Sequence, residues 1–175
     1  MSKHWVLIAI FSLGLDNTNF AQTKNEPVGE RTAEIISKID ASAAEEFQKA
    51  WFASHNGSDG FEALVLVYRA QDGSILARSH GKRGCERGRE RGRVTFAWTD
   101  DIIAVVHTHP NGDDPKPSRN DWGIAERFQV PVFTITRRGM YVYDPETGTI
   151  SKVQQGLDWL TSAKWTHDRQ RVAQK

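Results

Sequence analysis

The sequence predicts an α/β (α+β) fold in which a mixed β-sheet is flanked by helices. Apolar residues recur at spacings of three or four across 32–54, as they do on one face of a helix. Short runs rich in β-branched and aromatic residues follow, and a second helical pattern at 118–128 interrupts them. A helix, then strands, then a helix within the strand series together indicate one compact domain.

Length and composition agree with one folded domain. The 175 residues, of which 38 % are hydrophobic, can build one core but not comfortably two. The formal net charge of +1 provides no global attraction to nucleic acid. The single cysteine, Cys85, excludes an internal disulfide and every zinc site built on paired cysteines. Any metal must therefore be held by histidine and carboxylate side chains.

The first 21 residues resemble a secretory signal peptide. Lys3 and His4 precede an apolar run at 5–15, and Ala21 ends the polar stretch that follows. This run is shorter than the roughly 20 apolar residues that a membrane-spanning helix needs. We therefore expect cleavage near Ala21 and an exported protein, periplasmic or secreted, with no membrane span after signal removal. A buried N-terminal strand or helix is the alternative interpretation.

The rest of the chain divides into three parts. Residues 22–57 are predicted to hold a linker and a helical segment, which a capping-box pattern of Ser42 and Glu45 divides into two helices. Residues 58–153 contain the predicted strands and form the main domain. Residues 154–175 are predicted to form a helical tail with a charged end.

Seven strands are predicted in the main domain, with turn signals between them. Asp72-Gly73 and Arg138-Gly139 indicate hairpin turns, and the proline-rich stretch 110–117 indicates a loop. The basic, glycine-rich stretch 81–93 is also predicted to be a loop. The predicted strands cover residues 61–69, 74–79, 94–98, 102–107, 130–136, 140–143 and 150–153.

A candidate metal site follows the strand at 102–107. His107 and His109 lie two residues apart at the strand end, so their side chains leave on the same face. A helix that starts near Ser118 places Asp121 in its first turn, where its carboxylate can reach both imidazoles. Two histidines and one carboxylate leave one position of a tetrahedral zinc ion open, which is typical of catalytic sites. We therefore predict that His107, His109 and Asp121 bind Zn²⁺.

Two further residues complete the predicted site. Zinc lowers the pKa of a bound water to about 7, and a carboxylate that is not a ligand must take up and pass on the proton. Glu62 is our candidate for this acid/base, with Glu45 and Glu46 as rivals. Ser118 can donate its hydroxyl hydrogen to an oxyanion. The alternative interpretations are a capping pair of Ser118 with Asp121, and a solvated Glu62.

These residues resemble the JAMM signature of the JAB/MPN metallopeptidases. His107-Thr108-His109-Pro110, a short polar loop and Ser118-x-x-Asp121 match that signature, and the loop is similar to that of the RadC-like branch. Segments 130–133 and 139–145 resemble secreted JAB-like domains of bacterial toxins and exported proteins. The resemblance covers about residues 58–153 and implies the JAB/MPN (cytidine-deaminase-like) architecture.

The resemblance also implies an activity. Members of the family are zinc-dependent hydrolases that cleave amide or isopeptide bonds, so a protein or peptide substrate is expected. In the family the two histidines and the aspartate bind zinc, which here are His107, His109 and Asp121. The matching serine, Ser118, would support the oxyanion, and an upstream glutamate, here Glu62, would be the acid/base.

Two other classes of function remain alternatives. The MPN fold also serves as a non-catalytic binding module, although a complete ligand set argues against that role here. A toxin- or effector-type domain acting on another substrate, such as a nuclease, could use the basic run 82–93 to attract an anionic partner. Glutamates within this run neutralise part of its charge, so we expect a solvated loop and no nucleic-acid partner.

Overall fold

The protein is described by a computed structural model over residues 5–10, 27–58, 61–84 and 93–161. Three α-helices, a six-stranded mixed sheet and a separate two-stranded sheet form the described part. The helices are α1 (Glu30–Ser37), α2 (Ala41–Ala53) and α3 (Arg119–Phe128), and the strands are β1 (Trp5–Ile10), β2 (Phe61–Arg69), β3 (Ile75–Gly84), β4 (Arg93–Trp98), β5 (Ile102–Thr108), β6 (Val132–Thr136), β7 (Gly139–Asp144) and β8 (Thr149–Gln155). The predicted α/β class with a mixed sheet is confirmed.

The large sheet has the strand order β3-β2-β5-β6-β7-β8. Its neighbours are antiparallel except β5 and β6, which run parallel. A parallel pair needs a crossover connection, and α3 provides it here. The helix must run back along the sheet from the end of β5 to the start of β6. The start of α3 therefore lies at the same end of the sheet as the end of β5.

Side chains that alternate along β2 and β5 divide between two apolar clusters, one on each face of the sheet. The first cluster includes Val65 and Val106 and packs against α1 and α2. The second includes Leu64 and Val105 and packs against Ala125 of α3. Because both faces are covered, every position of β5 is buried. Such a strand is typically a continuous apolar run, as residues 102–106 of β5 are.

The division of the N-terminal helical segment into two helices is confirmed, but the predicted capping box is wrong. Asp40, not Ser42, is the N-cap of α2, and its side chain accepts a hydrogen bond from the backbone N of Ala43 at 2.9 Å. Glu45 instead pairs with Lys49 one turn further on. The helix begins earlier than expected because the Asp40 carboxylate satisfies a free N–H of its first turn.

Two other boundaries differ from the sequence predictions. Residues 81–84 were expected in the basic loop but extend β3, because they pair with the first residues of β2 beyond a register shift near Ala63. Residues 85–92 of that loop lie outside the described residues. The expected C-terminal helix is replaced by the end of β8 and a short 3₁₀ turn, Asp158–Leu160, whose Trp159 and Leu160 pack into the first cluster. Residues 162–175 of the expected tail lie outside the described residues.

Residues 5–10 of the apolar run near the N-terminus form the strand β1, and residues 11–26, with the expected cleavage site, lie outside the described residues. β1 pairs antiparallel with β4 from Trp5 opposite Trp98 to Ile10 opposite Arg93, and these two strands form the small sheet. A strand is one of the two interpretations of this run, and cleavage near Ala21 stays a prediction. No helix in the described part of the chain is both long and apolar enough to cross a membrane.

Candidate metal centre

The two histidines are held by the end of β5. His107 is 1 % exposed and pairs with Leu64 of β2 on one side and Thr134 of β6 on the other. His109 follows the strand end, and its backbone N donates to the carbonyl of Ile135 at 2.9 Å. The predicted convergence of the two side chains is present, since their Nε2 atoms lie 2.9 Å apart.

A hydrogen bond sets the orientation of the His109 ring. Its Nδ1 lies 2.8 Å from the backbone carbonyl of Asp114, and a carbonyl oxygen can only accept. Nδ1 therefore carries the hydrogen, and in the neutral ring the lone pair is on Nε2, which faces His107. A histidine that donates its outer N–H to a carbonyl in this way is typical of metal ligands.

Asp121 uses its two oxygens differently. Oδ2 accepts hydrogen bonds from the backbone N of Ser118 at 2.6 Å and from its hydroxyl at 2.7 Å. Oδ1 lies 3.6 Å from His107 Nε2, and it is buried with no hydrogen-bond partner among the described residues. A buried carboxylate oxygen without a donor is costly. Asp121 thus caps α3 with one oxygen and leaves the other facing the histidines.

The separations of these side chains fit a metal ion. The three ligand atoms of His107, His109 and Asp121 all lie within 4.8 Å of one another, and the three residues are buried. Ligands placed tetrahedrally around zinc, about 2.05 Å from the ion, would be about 3.3 Å apart. Two of the three separations, 2.9 Å and 3.6 Å, lie on either side of that value, and the third is at most 4.8 Å. The buried His-His-Asp group could therefore hold a metal ion. The ion would accept the lone pairs of the two imidazoles and of the carboxylate.

The burial of His107 favours the form that binds metals. Burial lowers the pKa of His107 from 6.5 to about 4, against the opposing effect of the Asp121 charge. The imidazole is therefore neutral at physiological pH, and a neutral ring is the one that can coordinate a cation.

Glu62 lies next to this group. Leu64 of β2 faces His107, so continuing the antiparallel register by two residues places Glu62 opposite His109 and on the same face of the sheet. Burial raises the pKa of Glu62 to about 8, and the charges of Asp121 and Asp113 add to the effect. The carboxyl group of Glu62 thus faces a cluster of other carboxylates in a poorly solvated position.

The rival glutamates lie elsewhere. Glu45 and Glu46 are on α2, which covers the opposite face of the sheet from His107, and both pair with Lys49. Glu46 also accepts a hydrogen bond from the backbone N of Ser79. Neither carboxylate therefore lies at the His-His-Asp group.

Ser118 contacts Asp121 twice. Its hydroxyl donates to Oδ2 of Asp121 and accepts from the backbone N of Asp121 at 3.4 Å. Ser118 is the N-cap of α3, which confirms the capping pair with Asp121 that was the alternative interpretation of these two residues. The hydroxyl hydrogen is thus directed at Asp121, and it must rotate away before it can serve an oxyanion.

The turn that follows α2 supports the loop of His109, a contact that was not predicted from the sequence. His55, Asn56 and Gly57 are three successive residues with left-handed backbone, at φ of 54°, 57° and 69°. Asn111 binds this turn with its backbone N, which donates to the Gly57 carbonyl, and with its side-chain Nδ2, which donates to the Asn56 carbonyl, both at 2.7 Å. Asn56-Gly57 is a recognisable left-handed signal, but nothing in it indicates a contact more than fifty residues away.

The loop after His109 is fixed from a second side. Thr134, the β6 neighbour of His107, donates its hydroxyl to the Pro115 carbonyl at 2.6 Å. Thr108 accepts a hydrogen bond from the backbone N of Ala63 at 2.9 Å, next to Glu62. The loop is therefore tied to β6 and to the turn at 55–57, while the start of β2 is tied to β5, the strand that leads into the histidines.

Comparisons with models of known protein families, with curated proteins and with solved structures give no significant match for this chain. The fold and the site themselves define the class at hand: a mixed α/β protein with a buried His-His-Asp group that could hold a metal ion.

Proposed function

We propose that this chain is a zinc-dependent hydrolase of the JAMM type that cleaves an amide or isopeptide bond in a protein or peptide. The observation that carries the proposal is the arrangement of Asp121, whose Oδ2 accepts two hydrogen bonds from Ser118 while the buried Oδ1 faces His107 without a hydrogen-bond donor among the described residues. Helix capping by Asp121 does not explain why its other oxygen lies buried beside two imidazoles, whereas coordination of a metal ion does.

Zinc is the ion that this donor set suits best. Two imidazoles and one carboxylate form a small, buried, mixed N/O set, whereas magnesium and calcium favour six or more oxygen ligands. Three protein ligands are also the number found in catalytic zinc sites. His107, His109 and Asp121 would hold the ion, and the Asp114 carbonyl would fix the ring of His109.

The other residues would carry the proton transfers. A zinc ion bound here would act as a Lewis acid and activate a water molecule at neutral pH. A bound cation would favour the ionised form of Glu62. Glu62 would then accept the proton of the attacking water and pass it to the leaving amine, since it lies beside the ligands without belonging to the group. Ser118 turns its hydroxyl from Asp121 to the oxyanion as the carbonyl becomes tetrahedral.

The architecture and location belong to the same proposal. The resemblance implies the JAB/MPN architecture, and the mixed sheet flanked by helices, with α3 beginning beside the candidate ligands, supports it. Export rests on the composition of residues 1–21. Removal of that segment would take away β1 and leave the six strands of the large sheet complete. Mass spectrometry of protein from the native host should find a mature N-terminus close to Gln22, and an intact Met1 would refute export.

Metal analysis followed by a cleavage assay tests the function. The purified chain should contain about one zinc per molecule, and His107→Ala, His109→Ala and Asp121→Ala should each remove most of it, since three ligands leave no redundancy. His80→Ala is the matched control, because His80 is an exposed histidine that contacts Tyr68. A wild-type chain that neither contains zinc nor takes it up would overturn the metal site.

The loaded chain is then incubated with a library of peptides joined by α-amide and by isopeptide bonds. Chelator should abolish cleavage, and added zinc should restore it. A chain that binds zinc normally and cleaves no member of the library would contradict the hydrolase and favour the binding-module alternative.

A further inference from the structure

A cavity of about 320 Å³ lies at the opposite end of the sheet from the histidines. Its walls come from α1, the end of β2, β4, the start of β5 and the end of α3. The residues that give it chemical character are Arg31, Arg69, Trp98, Asp100, Ile102 and Phe128.

This cavity is separate from the candidate metal centre. β5 starts with Ile102 at the cavity and carries His107 near its other end, and five residue steps along a strand span roughly 17 Å. β2 and α3 are arranged in the same way, with Arg69 and Phe128 at their cavity ends. A ligand in the cavity would therefore not touch the histidines.

Two guanidinium groups line the cavity and are held in place. Arg31 donates from Nη1 to the carbonyl of Gln129 at 2.8 Å, and Nη1 of Arg69 lies 3.3 Å from the carboxylate of Glu34. A guanidinium has five N–H donors in a fixed plane, and each of these contacts uses one. The side chains are thus partly ordered before a ligand arrives, which lowers the entropic cost of binding an oxyanion.

Two aromatic rings form part of the remaining wall. Trp98 and Phe128 stack with their ring centroids 4.0 Å apart, and both rings are half-buried. Ile102 and Val130 are buried beside them. A group that enters here can place an apolar or planar body against the rings while a charged end meets the arginines.

We propose that this cavity binds a small monocarboxylate with an apolar or aromatic body, about the size of an N-acylated amino acid. The two arginines supply charged N–H donors for a carboxylate, and the stacked pair supplies the surface for the body. Asp100 lines the cavity and Glu34 pairs with Arg69, so their negative charges oppose ligands with a second negative charge, such as phosphate dianions. The proposal does not depend on the metal centre.

Titration calorimetry of the full chain with N-acetyl-L-phenylalanine tests the proposal. A ligand of about 15 non-hydrogen atoms with ordinary efficiency should bind with a dissociation constant of roughly 0.1–1 mM. The neutral isostere N-acetyl-L-phenylalaninamide should bind about tenfold more weakly, because it lacks the charge that the arginines recognise. Equal binding of acid and amide, or no binding of either, would refute the carboxylate site.

Variants assign the binding to this cavity. Arg31→Gln and Arg69→Gln should each weaken binding of the acid about tenfold, while Arg137→Gln, which removes the same charge from an exposed turn at the other end of the sheet, should leave it unchanged. Asp100→Asn should tighten binding two- to threefold, roughly the effect of an exposed charge, and a misfolded variant could not produce that gain. Equal losses from Arg69→Gln and Arg137→Gln would place the ligand elsewhere and overturn the proposal.

Discussion

Ser118 and Asp121 form a capping box in which a single carboxylate oxygen, Oδ2, accepts both hydrogen bonds from Ser118, at 2.6 Å and 2.7 Å. The other oxygen, Oδ1, is turned toward His107. The start of α3 and the candidate metal centre are therefore one structural unit. The two interpretations of this pair, helix cap and metal site, are compatible, because each concerns a different oxygen of the same carboxylate.

Substitution of Ser118 separates its two proposed roles. Ser118→Ala removes the hydroxyl that orients Asp121, so zinc affinity should fall about 10- to 100-fold and stability by about 1 kcal/mol. If the hydroxyl also serves the oxyanion, the rate at saturating zinc should fall a further 10²–10³-fold. Zinc titration and kinetics at saturating zinc measure the two effects separately. Ser118→Thr keeps a hydroxyl and should recover most of the zinc affinity and most of the rate. An unchanged zinc affinity in Ser118→Ala would refute the orienting role.

Substitution of Glu62 separates the acid/base from the ligands. Glu62→Gln keeps the size of the side chain but cannot accept a proton, so the variant should bind zinc normally and lose roughly 10²-fold or more in rate. Glu45→Gln is the matched control, because that carboxylate is exposed and pairs with Lys49 on α2. Full activity of Glu62→Gln on a verified substrate would show that the assignment is wrong. Loss of zinc would instead make Glu62 a ligand.

The pH dependence of stability in the metal-free chain tests whether the pKa of Glu62 is raised in the folded state. Its pKa is raised from 4.5 to about 8, chiefly by burial, so the folded state binds more protons than the unfolded state between these values. The contribution of Glu62 to stability is therefore lost as pH rises through this window. His107 acts in the opposite sense, since its lowered pKa of about 4 removes stability as pH falls from 6.5.

Urea unfolding in chelator at about pH 5 and about pH 8.5 measures this dependence. Glu62→Gln should gain stability relative to the wild type on going to the higher pH, because the glutamine carries no charge to desolvate. The difference should shrink when zinc is restored, because a nearby cation favours the ionised carboxylate. A wild type and variant with parallel pH profiles would mean that Glu62 is well solvated.

Local patterns in the sequence were sufficient to predict most of the elements and the residues of the metal group. β5 is a buried apolar run, α3 begins at a serine with an aspartate three residues later, and two histidines follow the strand end. Each of these signals extends over at most a dozen residues. The prediction that His107, His109 and Asp121 lie together followed from the crossover, because a helix that leaves a strand end must start beside it.

The parts that could not be predicted depend on contacts between distant segments. The extension of β3 through residues 81–84 depends on pairing with the start of β2, and basic, glycine-rich residues provide no local signal for it. The distal cavity combines arginines from α1 and β2 with rings from β4 and α3. The turn at His55 could be recognised as a loop, but its role became visible only through its contacts with Asn111.

The final prediction concerns the turn at 55–57 and compares two glycines with left-handed backbone. Gly57 has φ +69°, and a Cβ at this position would lie 2.8 Å from the Trp51 ring and 3.0 Å from the carbonyl oxygen of His109. Gly73 has φ +80° and nothing within 4 Å of the same hypothetical atom. Alanine at either position should cost about 1 kcal/mol or more for its backbone conformation alone.

Only Gly57→Ala should also disturb the candidate metal centre, because its methyl group would press on the backbone of His109, a proposed ligand. We expect Gly57→Ala to lower stability by roughly 1–3 kcal/mol more than Gly73→Ala and to weaken zinc binding about tenfold, as displacement of a ligand's support does. Gly73→Ala should bind zinc like the wild type. Urea unfolding and competitive zinc titration give the two quantities. Equal zinc affinities for the two variants would mean that the turn stabilises the fold without positioning His109.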